Sequence, residues 1–136
     1  MILLDTHPLI WFTQGDKFLG SKARQIIQDA IDSDEALVSP ITFWETAMLA
    51  RKGRLSLGRS VQDWAQAILG TGVKAAEITP HIAMSAGDLP SDIHGDPADR
   101  LIIATARAFG CPLVTADRQI LAYAAKGHLA VIDARR

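Results

Sequence analysis

Apolar residues recur along this chain in two rhythms. Short unbroken runs stand at Ile2-Leu3-Leu4, Ala36-Leu37-Val38, Leu113-Val114 and Ala130-Val131-Ile132. Between them, apolar residues return every three or four positions, the spacing of one face of a helix. Ala23, Ile26, Ile27, Ala30 and Ile31 form one such set, and Val61, Trp64, Ala65, Ile68 and Leu69 another. The runs predict strands over Ile2–Asp5, Ala36–Val38, Lys74–Ile78, Leu113–Thr115 and Ala130–Ile132, with a short extended piece at Leu55–Leu57. Helices are predicted through Pro8–Phe12, from Ser21, from Pro40 to about Lys52, from Val61, and over Pro80–Ala86, Pro97–Phe109 and Arg118–Ala125.

Local chemistry supports these limits. Ser21, Ser39 and Ser60 stand where an N-cap belongs, and Pro40 takes the first helical position after Ser39. Gly53 and Gly110 follow helices that need a left-handed stop. Asp88–Gly95 reads as a polar loop rich in turn formers. Alternation of apolar strands with helices predicts an α/β fold, a three-layer α/β/α sandwich around a mainly parallel sheet.

Composition narrows the class. A chain of 136 residues makes one domain, spanning 1–136, that buries about two-thirds of its unfolded surface. No apolar stretch approaches the ~20 residues that span a bilayer, so no membrane role is expected. The start, Met-Ile-Leu-Leu-Asp, is broken by Asp5 and does not read as a signal peptide. Cys111 is the only cysteine, which excludes an intramolecular disulfide and a thiolate zinc cage within one chain. It is expected to be a small buried hydrophobe, and a cytoplasmic location fits. A net charge of −1 gives no global pull on nucleic acid, so a local basic surface would have to supply one. Arg51-Lys52-Gly53-Arg54 with Arg59 is the candidate, although a solvated helix end explains the same residues.

The informative chemistry is acidic. Asp5 ends the first apolar run, and Asp117 follows Leu113-Val114-Thr115. Glu45 sits among Ile41, Trp44, Met48 and Leu49, and Asp99 leads Leu101-Ile102-Ile103-Ala104. Strand ends of an α/β sheet converge on one crevice, and carboxylates gathered there repel unless a cation lies between them. Oxygen-only ligands suit Mg²⁺ or Mn²⁺.

Each acid also has a plain structural reading. Asp96 is an ideal N-cap before Pro97, and Asp99 could close a capping box with it. Asp117 could cap the Arg118 helix, and Asp5 could open a turn. Glu45 falls inside an apolar stripe, where a salt bridge to Arg51 or Arg100 is the alternative to coordination. His7 and His94 lie near these acids but read as loop or capping residues, while His81 and His128 look like surface positions. Trp11, Trp44 and Trp64 are spaced as core or interface anchors rather than base-stacking residues.

Four ordered segments carry a resemblance. They are Leu3-Leu4-Asp5-Thr6-His7, Ser39-Pro40-Ile41-Thr42-Phe43-Trp44-Glu45, His94 to Ala104, and Leu113-Val114-Thr115-Ala116-Asp117. In order and spacing the chain resembles the PIN-domain family, and more narrowly the ribonuclease toxins of VapBC-type toxin–antitoxin pairs. The resemblance implies acidic metal ligands at Asp5, Glu45, Asp99 and Asp117, with Thr115 in support and Asp96 belonging to the turn. It also implies an RNA substrate, a small cognate antitoxin and a homodimer. The segment between Gly53 and Pro80 carries no family signature.

The resulting expectation is a Mg²⁺- or Mn²⁺-dependent endoribonuclease in which Asp5, Glu45, Asp99 and Asp117 are the catalytic, metal-holding set. Two other classes compete. A receiver-like signalling domain also holds Mg²⁺ in an acidic site, but it wants adjacent acids after the first strand, and Thr6 follows Asp5. A PIN-like fold that only binds a partner has no need of all four carboxylates.

Overall fold

The computed structural model describes residues 1–136 and places strand β1 (Ile2–Leu4) at the centre of a five-stranded sheet. The other strands are β2 (Ala36–Val38), β3 (Lys74–Ala75), β4 (Leu113–Thr115) and β5 (Val131–Asp133). Their order is β3-β2-β1-β4-β5, and every neighbouring pair is parallel. Helices α1 (Thr6–Gln14) and α2 (Ser21–Asp32) link β1 to β2, and α3 (Pro40–Arg51) and α4 (Val61–Gly70) link β2 to β3. Next come α5 (Pro80–Gly87) and α6 (Pro97–Phe109) before β4, and α7 (Arg118–Ala125) before β5.

Successive strand residues point to opposite faces, which divides the core in two. Ile2, Leu4, Ala36, Val38 and Val114 pack with Leu9, Ile27, Trp64 and Ile68 of α1, α2 and α4. Leu3, Leu37 and Leu113 pack on the other face with Ile82, Ile102, Ile103 and Ile120 of α5, α6 and α7. The three-layer sandwich follows from this alternation. Helix α3 serves both faces, with Phe43 against the first cluster and Ile41 against the second. Leu3 and Leu4 are fully buried, each stabilising the fold by about 1.5–3 kcal/mol.

Several local expectations change. Strand β3 stops at Ala75 rather than Ile78, because it lies at the sheet edge with β2 as its only partner. Ile78 instead packs into the second core before Thr79 caps α5. Leu55–Leu57 forms no strand, though both leucines pack on the first core. Strand β5 runs one residue later than the apolar run suggests. The loop from Asp88 to Gly95 is not wholly polar in its packing: Leu89 is buried, and Tyr123 Oη donates to the Pro90 carbonyl at 2.6 Å. Trp64 is a core residue, whereas Trp44 is 57% exposed and is no core anchor. Cys111 is buried.

The N-cap of α2 is Gly20, not Ser21, and no side chain caps that helix. Gly20 has φ −68° and ψ 155°, a conformation open to any residue. Its lack of a side chain answers a different need, because a Cβ there would sit 2.1 Å from the carbonyl carbon of Arg136. No helix is long and apolar enough to cross a membrane.

Candidate metal centre

The chain leaves β1 toward β2 on one side and later returns to place β4 on the other. Such a reversal opens a crevice at the carboxyl ends of the two central strands. Asp5 follows β1 directly, and Asp117 lies two residues beyond the end of β4. Helix α6 brings Asp99 in its first turn, and α3 brings Glu45 from its middle. All four, with Asp96, line one crevice of about 390 Å³. His7, Trp11 and Arg135 complete its rim.

Asp5 is almost fully buried and both its oxygens are held. Oδ1 accepts from the Thr6 amide at 2.8 Å, and Oδ2 accepts from the Thr115 hydroxyl at 2.7 Å. Thr115 Oγ1 in turn accepts from the Asp117 amide at 3.1 Å, so the two strand ends are locked to each other. Burial pushes the Asp5 carboxyl up to about 6, against the lowering effect of these hydrogen bonds. Glu45 adds to the rise and His7 opposes it.

Asp99 is pushed further, up to about 8, first by burial and then by the charges of Asp5, Asp96, Asp117 and Glu45. Carboxylates that crowd one another in this way favour protonation or a cation.

The plain readings hold in part for three of the acids, and Asp5 caps α1 through the Thr6 amide. Asp96 Oδ1 accepts from the Asp99 amide at 3.1 Å, and Asp117 Oδ1 accepts from the amides of Gln119 and Ile120 at 2.8 and 3.0 Å. Each leaves its second oxygen out of the cap. Asp99 closes no capping box, because the Asp96 amide donates to His94 Nδ1 instead. Glu45 has no arginine partner. Arg100 donates to the carbonyls of Ala86, Ile93 and Gly87, and Arg51 is exposed. Glu45 Oε1 accepts from the Thr6 hydroxyl at 2.6 Å. The buried positions of α3 are Thr42 and Thr46 rather than its large apolar residues.

His94 stands closer to the acids than its loop position suggests. Its Nε2 lies 3.2 Å from Asp99 Oδ2, and ligand atoms of His94, Asp99 and Asp117 fall within 4.8 Å of one another. Its Nδ1 accepts from the Asp96 amide at 3.3 Å, which turns the Nε2 edge of the ring toward Asp99. Nε2 is buried and has no hydrogen-bond partner.

Thr6, Thr42, His94 and Arg135 escape a reading of sequence alone. For Thr42 and Thr46 a signal exists: two β-branched hydroxyl residues four apart on one helix, flanking Glu45. Nothing in the sequence joins Arg135 to Asp5. As for a metal, the donor set is carboxylate oxygen with no thiolate, and no lysine or arginine forms a salt bridge with the raised Asp99 and Asp5 carboxyls. Both features fit a hard divalent cation.

Comparison with known proteins places this geometry in a family. The sequence pattern of the PIN domain matches residues 2–126. Ribonuclease VapC22 of Mycobacterium tuberculosis is 42% identical over 119 residues, covering 88% of each chain. A toxin–antitoxin complex from Klebsiella pneumoniae superposes with a TM-score of 0.65 at 20% identity, covering 98% of this chain and 97% of the other. VapBC2 from Rickettsia felis, bound to a DNA fragment from its promoter, gives 0.67 at 15% identity, covering 97% and 98%. At those identities the superpositions speak for the fold, while the pattern match and the mycobacterial relative speak for descent. An all-parallel sheet with acids gathered where β1 and β4 end, matched nearly end to end, makes this chain a member of the PIN-domain family.

Proposed function

We propose that this protein is a Mg²⁺- or Mn²⁺-dependent endoribonuclease and the toxin of a toxin–antitoxin pair, with Asp5, Glu45, Asp99 and Asp117 as its metal-holding, catalytic acids. The observation that carries the reading is the state of Asp99, a carboxyl raised to about 8 by burial and by four neighbouring acids. A plain helix start has no use for such crowding. The 42% identity to a ribonuclease supports RNA as the substrate.

A bound divalent ion supplies charge neutralisation, a more acidic water and stabilisation of the leaving oxygen. The chain's own residues do the positioning. Thr6 and Thr115 fix the Asp5 carboxylate from two sides, so its remaining lone pairs point in set directions. Asp99 supplies the second main ligand from the first turn of α6. Asp117 spends one oxygen on its helix and offers the other to the crevice. Glu45, oriented by Thr6, would hold the ion or position the attacking water. Water attack without the RNA 2′-oxygen leaves a 5′-phosphate and a 3′-hydroxyl.

Similarity to toxin–antitoxin complexes supports a small protein partner that silences the enzyme. The groove of about 330 Å³ between α1 and α4 is lined mainly by apolar side chains and suits an apolar segment of such a partner. Exposed Trp44 and Met84 support a homodimer contact, which light scattering tests. A receiver-like domain is disfavoured, since its sheet order is 2-1-3-4-5 and this sheet runs β3-β2-β1-β4-β5.

The test is incubation of purified protein with cellular RNA, with and without Mg²⁺ or Mn²⁺, and mapping of new 5′ ends. Asp5→Ala and Asp99→Ala should abolish metal-dependent cleavage with the fold intact by circular dichroism. Cleavage retained in both would refute the site.

A further inference from the structure

We infer that Arg135 receives a phosphate of the substrate strand at the rim of the carboxylate crevice. The inference rests on the nuclease reading and adds a residue to it. A crevice walled by five carboxylates repels an incoming polyanion, and a divalent ion answers only for the phosphate it touches. The strand on either side of the cut still needs a cation. Among the residues that line the crevice, Arg135 is the one lysine or arginine.

Its charge is not committed elsewhere. The salt bridges are Met1 with Glu35 and, when its ring is protonated, His94 with Asp99, so Arg135 bridges to none of the acids that line the crevice with it. Arginine stays charged at every working pH and meets phosphate with two parallel N–H bonds. The exposed cluster at Arg51, Lys52, Arg54 and Arg59 contributes no residue to the crevice lining.

The backbone around Arg135 is tightly anchored. Ala134 is fully buried, donating its amide to Thr115 O at 2.8 Å and accepting from the Gly20 amide at 2.9 Å. The Arg135 amide donates to Asp133 Oδ1 at 3.0 Å, and the Lys22 amide donates to Arg136 O at 3.0 Å. This segment runs so close to Gly20 that an added Cβ would lie 2.6 Å from the Arg135 carbonyl carbon. Glycine at position 20 therefore lets the segment lie where Arg135 can reach the crevice. The same hydrogen bonds tie it to Thr115, which orients Asp5, so the cation and the metal-holding acid share one frame.

The experiment uses a short single-stranded RNA spanning a cleavage site mapped from the cellular pool. Steady-state cleavage is measured for wild type, Arg135→Gln, Arg135→Lys, Arg136→Gln and Gly20→Ala across a range of salt. Arg135→Gln should raise KM roughly tenfold or more, the scale of a lost charged hydrogen bond, with kcat little changed. The slope of log kcat/KM against log salt should become shallower by about 0.7, as for one lost phosphate contact on a single strand. Arg135→Lys should fall between, and Arg136→Gln should match wild type. Gly20→Ala should raise KM with Arg135 still present. Melting curves report folding, and Arg135→Lys decides the matter if the glutamine variant is destabilised. Unchanged KM and salt slope in Arg135→Gln, or a loss confined to kcat, would overturn the inference while leaving the nuclease intact. A wild type that cleaves no RNA with either metal would overturn both.

Discussion

The hydroxyl of Thr6 and the carboxylate of Glu45 lie 2.6 Å apart across 39 residues of chain, which couples the start of α1 to the middle of α3. Thr6 has one hydroxyl proton and gives it to Glu45. The Thr42 hydroxyl, 3.0 Å away, must therefore be the donor in its own contact with Thr6. Thr46 then donates to the Thr42 carbonyl at 2.7 Å. Glu45 is thus oriented by the buried hydroxyls of Thr6 and Thr42, while Thr46 bonds only to the helix backbone.

Thr6→Val keeps the shape and removes the donor. Cleavage should fall about 10- to 100-fold, the usual cost of losing a partner that orients a metal-site residue. Urea melts should show a loss of about 1–3 kcal/mol, because the Thr42 hydroxyl is left without its acceptor. Thr6→Ser should recover most of both. Full activity in the valine variant would show that Glu45 needs no such support.

Removing charge from the crevice should stabilise the metal-free protein. Two carboxylates ~6 Å apart at an effective dielectric near 20 repel by roughly 3 kcal/mol, less after screening and relaxation. If about 1 kcal/mol survives, Asp99→Asn should melt roughly 4 °C higher than wild type in chelator. Mn²⁺ should raise the wild type more than the mutant. Equal response to Mn²⁺ in both would separate Asp99 from the ion.

The pH dependence has a definite sign. Asp5 and Asp99 have ordinary values of 3.8 and are raised in the fold to about 6 and about 8. Between those limits the folded chain binds more protons than the unfolded one, so stability falls as pH rises. In chelator the melting temperature should therefore decline from about pH 4 to pH 8, steeply for wild type and less so for Asp99→Asn. Mn²⁺ should flatten the wild-type curve by competing with the protons. A wild-type curve in chelator that rises over this range would contradict the raised carboxyls.

Asp117 has two separable duties, since Oδ1 caps α7 and the other oxygen faces the crevice. Asp117→Asn keeps an oxygen for the cap and should leave stability nearly unchanged, while weakening Mn²⁺ binding by calorimetry about tenfold. Asp117→Ala should lose both, with a further cost of about 1 kcal/mol for the missing cap. Wild-type Mn²⁺ affinity in the asparagine variant would confine Asp117 to its cap.

The parallel sheet and most helix limits are legible because their causes are local. Ile2-Leu3-Leu4 and Leu113-Val114 are buried on both faces and read as unbroken apolar runs. Ser39-Pro40 and Asp96-Pro97 mark helix starts by cap chemistry alone. The acids stand out because charge in those settings needs an explanation. What stays hidden depends on partners far apart in sequence. Gly20 looks like a plain helix start until the segment bearing Arg136 is seen pressed against it. His94 reads as a loop or capping residue and does accept the Asp96 amide, but its approach to Asp99 shows only in the fold. Trp44 reads equally as a core or an interface anchor, because spacing on a helix cannot say which side faces water, and its exposure removes only the first.

The bond between Thr115 and Asp5 closes over 110 residues. A contact of that separation must first overcome the entropy of closing the loop, which slows folding relative to helices and neighbouring strands. A chain still emerging from a ribosome carries Asp5 and Glu45 long before β4 can dock beside β1. Until it docks, the two held oxygens of Asp5 have only one of their donors and Asp117 has no place in the crevice. A site built this way is incomplete until the last of the four segments that form it has joined the sheet.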